Sequence, residues 1–277
     1  MSTEFDHYLN DVFRRENIRY YAAMPFEACH VIRPGLVRKL TFEPRTVILF
    51  LIPYYFTETE NISRYASGGD YHYYVNNFFS LNTPFLQIHS HGYRYAGFCD
   101  HSPIDERHAA AAAGLGIIGD NGLLINQHYG SFTFIAEWLT SAPPELFGFT
   151  EPREIGVCEH CGACARACPG KVLPGTSRRK CLSAVTQKKG ELTEDEKRLI
   201  RENGTAWGCD ACQTVCPHNR KIIDEHLCTP VEWFHRSHIP CMTTDILDRM
   251  PDEEFLLRPY SFRGREVLAR NLKLIGY

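Results

Sequence analysis

The sequence predicts an α+β chain: an α/β domain over residues 1–150, a cysteine-rich domain over residues 151–228, and a tail over residues 229–277 that packs back on the first domain. Three observations lead there. Before residue 150, helical spacing alternates with short β-rich apolar runs. Eight of the 12 cysteines lie between Cys158 and Cys216, so the other 218 residues hold only four. After Pro251 the pattern turns helical again.

Residues 3–16 place Phe5, Tyr8, Leu9, Val12 and Phe13 on one helical face. Residues 18–24 read as a strand. The run TVILFLI from Thr46 reads as a buried central strand. A polar loop over 61–70 leads into a helix over 71–81, and 85–89 reads as a strand; His89 and His91 alternate as on a strand and read as packing residues rather than metal ligands. Residues 104–113 form a helix whose five alanines from Ala109 permit close packing. Ser102 is its expected N-cap, Pro103 its N1 residue and Asp105 its N3 residue. Residues 123–126 and 131–139 read as a strand pair around Gly130. The cysteine-rich stretch is loop-rich and basic at Arg178, Arg179 and Lys180, and it contains a helix over 193–202 with Thr193 and Glu196 as a capping box.

Hydrophobic residues are 44% and charged residues 23%, which excludes a disordered or collagen-like chain. The net charge of −3 argues against a protein that coats nucleic acid, and leaves room for a local basic patch. The apolar run from Val47 to Pro53 is far short of the ~20 residues of a membrane helix. The N-terminal residues are charged and amphipathic with no apolar signal core, so the expectation is a cytoplasmic protein without membrane contact.

A cytosolic cysteine cluster reads as metal binding. The first run is Cys158-x2-Cys161-x2-Cys164-x3-Cys168-Pro169, the spacing of bacterial ferredoxins, in which the fourth cysteine ligates the other of two cubanes. On this reading Cys168 starts a short helix. The second run is Cys209-x2-Cys212-x3-Cys216-Pro217. A full motif would have cysteine at 206, where Ala206 stands, and Cys181 is the replacement. One [4Fe–4S] cluster then takes Cys158, Cys161, Cys164 and Cys216, and the other takes Cys168, Cys181, Cys209 and Cys212. Structural zinc is the alternative, but zinc favours paired CxxC elements. Cys29, Cys99, Cys228 and Cys241 read as buried small hydrophobes. A bare two-cluster carrier needs about sixty residues of this kind. The surplus points to an enzyme with a second cofactor or a substrate pocket.

The stretch Gly114-Leu-Gly116-Ile-Ile-Gly119 matches GxGxxG, but a helix precedes it rather than a strand. Gly114 is therefore a left-handed helix cap, and the nicotinamide reading is rejected. Capping does not explain Asp100, which is a candidate proton donor; the alternative is a solvated loop residue. Asp70 reads as a helix cap, with the tyrosines after it packed on the core.

Together these stretches resemble the epoxyqueuosine reductase family. The resemblance rests on Arg64-Tyr-Ala, Asp70-Tyr71-His72, Asp100-x-x-Pro103, the glycine loop from Ala113 to Gly119 with Asn121 and Leu123, Gly130-Ser131-Phe132, and Glu137 with Thr140. It rests also on both cysteine runs, Arg179-Lys-Cys181-Leu-Ser183 and the segment from Glu254 to Leu274. It implies a nitroreductase-like α/β domain that binds base-off cobalamin, joined to a bacterial two-[4Fe–4S] ferredoxin-like domain and related in architecture to reductive dehalogenases. The implied cofactor contacts are Asp70, Tyr71, His72, Gly114, Gly116, Gly119, Asn121 and Ser131. The implied reaction reduces epoxyqueuosine in tRNA to queuosine, with Asp100 protonating the leaving oxygen and an external low-potential donor feeding the clusters. Asp70-x-His72 lacks the glycine of DxHxxG at 75, so no protein histidine is expected below cobalt.

Two departures from the family pattern stand out. Asp120 replaces the usual lysine after the glycine loop, which reverses a charge beside a cofactor or phosphate. The chain also ends where longer members begin a helical-repeat domain that helps hold tRNA. The basic residues Arg258, Arg263, Arg265, Arg270 and Lys273 form a candidate phosphate strip, the alternative being a solvated helix face. Two other functions compete: a cobalamin and iron–sulfur reductase of a small molecule, and an electron carrier without cobalamin.

Overall fold

The computed structural model describes residues 4–175 and 179–277. The expected helix start at residue 3 and Arg178 of the basic run lie outside them. The chain divides into two compact units. The first holds the residues up to Pro53, Tyr74–Gly119 and Leu123–Glu159; the second holds Tyr54–Tyr73, Asp120–Gly122 and His160–Tyr277.

The first unit contains α1 (Glu4–Arg15), β1 (Tyr21–Pro25), α2 (Pro34–Val37), β2 (Thr46–Pro53), most of α3 (Tyr71–His89), β3 (Tyr95–Cys99), α4 (Glu106–Ala112), β4 (Ile117–Ile118), β5 (Leu124–Ile125) and β6 (Thr133–Thr140). Four strands form an antiparallel sheet in the order β1-β2-β6-β3, and β4 pairs with β5. Every residue of β2 is buried, which explains its unbroken apolar run. Val47, Leu49 and Leu51 face the alanines of α4. Phe50 faces the opposite way, against Phe13 of α1 and Phe78 of α3. The layers are helix, sheet, helix.

The second unit carries α5 (Ala163–Ala167), α6 (Leu182–Thr186), α7 (Glu194–Asn203), α8 (Ala211–Thr214), α9 (Pro217–Asp224), α10 (Thr244–Arg249), α11 (Asp252–Leu256) and α12 (Arg265–Ile275). Thr193 and Glu196 cap α7 reciprocally, as expected. Among the described residues no helix is long and apolar enough to cross a membrane.

Several expectations change. Residues 85–89 are not a strand, because α3 continues through Pro84 to His89. Val75, Phe78, Asn82 and Leu86 stay buried at three- and four-residue steps, and that burial outweighs the proline's lost hydrogen bond. Residues 123–126 and 131–139 do not pair with each other: β5 joins β4, and β6 joins the main sheet. The units also do not follow the expected boundaries at 150 and 228. The tail joins the second unit, where Met242, Leu247, Tyr260 and Leu268 share a core with Ile62, Ala66 and Trp207. The loop-rich cysteine stretch is poor in apolar surface, and these segments supply it.

Candidate active site and cluster ligand runs

The described cysteines of the second unit are brought together by a few tight contacts. Cys168 caps the C-terminus of α5 rather than starting a helix, because its backbone is extended; Cys181 and Cys216 are the residues that precede helices. Gly170 lies hard against the carbonyl of Lys180, where any side chain would collide. That close approach sets the Cys168 loop beside Cys181. The Val172 N–H donates to Cys168 Sγ at 3.4 Å. Burial pushes the Cys209 thiol up to about 11, with Asp210, Cys181 and Cys168 adding to the shift against an N–H bond from Ala211. Cys212 rises to about 12 by burial and by its neighbours Cys209, Asp210, Cys181 and Cys164. Half-buried thiols that disfavour one another's ionisation fit a polynuclear cationic group, which would take them all as thiolates.

Ala206 is fully buried, and its N–H donates to Asn61 O. A core position explains why no thiol stands there. The Cys209–Cys212 turn is held by Asp210. Its carboxylate accepts from the Ser63 hydroxyl, from the Arg64 N–H at 2.7 Å and from Arg64 Nη1 at 3.2 Å. Arg64 also pairs with Glu58. Burial opposes the Arg64 charge, but Asp210 and Glu58 outweigh it and raise the guanidinium's basicity. In the first unit, the Cys158 N–H donates to Ile118 O at 3.1 Å, which anchors the start of the first run to β4. Cys228 is exposed and Cys29, Cys99 and Cys241 are half-buried, so these four are not the buried hydrophobes expected.

Asp100 follows β3 in the left-handed region, at φ +61°. Its N–H donates to Glu106 Oε1 at 2.8 Å. Asp100 lines a cavity of about 300 Å³ together with Arg33, Glu106, Ser131, Thr133 and an apolar wall of Leu123, Leu124, Phe134 and Ile135. Arg33 Nη1 donates to Ser102 O at 2.6 Å. Asp105, not Ser102, is the N-cap of α4 and accepts from the His108 N–H. Burial works against its ionisation, but His108 and Arg107 hold it below the ordinary carboxylate range. Ser102 Oγ instead accepts from the Ile104 N–H. Burial, then the charge of Asp100, pushes Glu106 up to about 7. Glu137 of β6 is fully buried and raised well above the ordinary value by burial and by Glu106.

The other expected contacts fall into groups. Ser131 shares the Asp100 cavity. Gly114 ends α4 at φ +81°, as expected, with Leu115 N–H returning to Ala110 O. Gly116 touches the Ile125 backbone, and the Gly119 N–H donates to Leu123 O at 3.0 Å. These three glycines have structural work in the loop and do not line the Asp100 cavity. Asp70, Tyr71 and His72 open α3 together: Asp70 Oδ1 accepts the His72 N–H at 2.9 Å and lies 3.0 Å from His72 Nδ1. Asn121 is buried. Asp120 pairs with His160 at 2.7 Å. The basic strip does not form as expected. Arg258 is buried against Glu254, while Arg265 and Arg270 donate to the carbonyls of Leu247, Met250 and Gly190.

Sequence reasoning gave no role to Glu106, Glu137 or Asp210. Glu106 hides as an ordinary acid in a helix's first turn. Glu137 had a signal, being the lone charge in TFIAEWLT, an otherwise apolar strand.

A mixed α+β fold with two cysteine runs and a part-polar acid-lined cavity defines an iron–sulfur protein with a separate pocket. Residues 157–219 match the 4Fe-4S double cluster binding domain. An epoxyqueuosine reductase of Lactococcus garvieae is 33% identical over 219 residues, which is 76% of this chain and 60% of that protein. One of Leadbetterella byssophila is 34% identical over 212 residues, 73% of this chain and 68% of that protein. A solved epoxyqueuosine reductase, crystallised with an epoxyqueuosine-modified tRNA stem loop, has the same fold at a TM-score of 0.69 and 20% identity, covering 98% of this chain and 81% of that one. The chain belongs to the epoxyqueuosine reductase family.

Proposed function

We propose that this protein reduces epoxyqueuosine in tRNA to queuosine. Two electrons and two protons enter; both epoxide C–O bonds break, the alkene forms and the oxygen leaves as water. The observation that carries the reading is family membership over about three quarters of the chain. The Asp100 cavity and the crowded thiols support it.

One cluster would be held by Cys158, Cys161, Cys164 and Cys216, the other by Cys168, Cys181, Cys209 and Cys212, with an external low-potential donor resupplying them. Base-off cobalamin is the further group the family implies. At about 300 Å³ the cavity takes only a part of such a group, and its lining suits the reacting face: an apolar wall of Leu123, Leu124, Phe134 and Ile135, with Arg33, Ser131 and Thr133 at a polar rim. When bound, cobalamin would supply the reducing centre for the epoxide carbon. Asp100 would hold a proton on its carboxyl and release it to the leaving oxygen. Leu123, Phe134 and Ile135 would exclude water from the reacting bond.

The test is metal analysis and turnover after anaerobic reconstitution with cobalamin. The expected result is about eight irons and one cobalt per chain, with conversion of an epoxyqueuosine stem loop. In Asp100→Asn turnover falls roughly 10²–10⁴-fold with both metals retained. Full iron without cobalt uptake sinks the mechanism and leaves the electron carrier. The engagement of Arg258, Arg265 and Arg270 within the fold favours one second reading, a cobalamin-dependent reductase of a small molecule. RNA affinity that does not weaken with rising salt would select it.

A further inference from the structure

Glu137 lies on β6 in register with Leu49 of β2 and Phe98 of β3, surrounded by apolar strand neighbours. It is fully buried, and no donor hydrogen is placed on either carboxyl oxygen among the described residues, so a carboxyl facing it can bond to it only through an added proton. The groups that act on it are Glu106, Ser102, Asp100 and the thiol of Cys29. Glu106 bridges outward, because its Oε1 takes the Asp100 N–H at 2.8 Å. Arg33 is the cation that acts on Glu106, and its Nη1 is directed to the Ser102 carbonyl. A fully buried carboxyl that faces a second one does not ionise together with it, so one proton stays with the pair. The reaction consumes two protons, and a single Asp100 carboxyl carries one at a time.

We propose that Glu106 and Glu137 hold one shared proton behind Asp100 as the reserve that re-protonates it within a turnover, Glu106 also fixing the Asp100 loop. The inference rests on the reading of Asp100 as proton donor. In the first step the Asp100 O–H breaks and the leaving oxygen gains the proton. In the second the Glu106 O–H breaks and the Asp100 O–H re-forms. The pair then regains its proton from solvent, and no electron moves through it. Glu106 and Glu137 are positioning and supply residues; neither needs to touch the substrate.

The experiment uses the reconstituted protein and its variants Glu137→Gln, Glu106→Gln and Glu106→Asp. Infrared difference spectra across pH, in protein labelled with ¹³C at glutamate carboxyls, read the pair directly. A protonated-carboxyl band titrating at about 7 is expected; it should vanish in Glu106→Gln and shift in Glu137→Gln. Turnover of the wild type falls as pH rises through that range. Glu106→Gln should lose that limb and turn over roughly tenfold more slowly with KM unchanged, while Glu106→Asp recovers part of the rate. Absence of the band in the folded wild type, or its persistence in both glutamine variants, overturns the shared proton. A band that titrates as expected beside an unaltered pH profile in Glu106→Gln overturns the supply role. Undiminished turnover in Asp100→Asn would instead sink the assignment of Asp100, and the infrared result would still decide the pair.

Discussion

The two units bury acidic side chains in opposite ways. In the second, the buried Asp210 and, from the surface, the half-exposed Glu58 close on Arg64, whose side chain is 5% exposed. Burial pushes Glu58 upward, yet the hydrogen bond and charge of Arg64 hold it below the ordinary range. In the first, Glu106 and Glu137 act on each other and feel the charge of Asp100, and burial drives both upward. Burial is common to the two places; the partner differs. A carboxyl that meets a guanidinium becomes a fixed tie between segments distant in the chain. A carboxyl that meets another carboxyl becomes a place where a proton resides.

The contrast can be broken most directly at Arg64. Arg64→Ala leaves Asp210 and Glu58 without their cation and should lower unfolding free energy by about 3–5 kcal/mol, read by urea titration. A loss within a few tenths would mean that the tie is not structural. Cys181→Ala spares that network and should cost half of the metal: about four irons per chain should remain of about eight. Unchanged iron would show that another cysteine fills the place.

The pH dependence of stability sharpens the other side. Burial and the charge of Asp100 push Glu106 from the ordinary 4.5 up to about 7 in the folded chain. Between those values the folded chain binds more protons than the unfolded one, so unfolding free energy should fall as pH rises through this window. Glu106→Gln should flatten the fall in a series of thermal melts, and an equally steep fall in that variant would remove Glu106 from the account. The smallest effect lies outside both networks. Thr193→Ala removes the capping box of α7 and should cost about 1 kcal/mol.

Much of this arrangement was legible before any coordinates. The N-terminal helix, the buried strand from Thr46, the capping box at Thr193 and the stop at Gly114 each depend on residues a few positions apart. The spacing of the two cysteine runs is likewise local, because three thiols on one turn need only a short stretch of chain. The continuation of α3 through Pro84 was not legible: the local penalty of proline is visible in the sequence, and the burial of Phe78 and Leu86 that outweighs it is not.

Residues close together along the chain settled the thiol runs, the strand and helix periodicities and the family, and they set Asp100 in a loop between elements. Tertiary structure decided which distant groups share an environment. It set Cys168 beside Cys181 through the close approach at Gly170, closed Arg64 on Asp210 across 146 residues, and placed Glu137 behind Glu106. The reason is physical. Periodicity, caps and turns are settled by neighbours along the chain. The charge state of a buried acid is settled by whichever group the packing brings to it, and that group stands at no fixed distance in sequence.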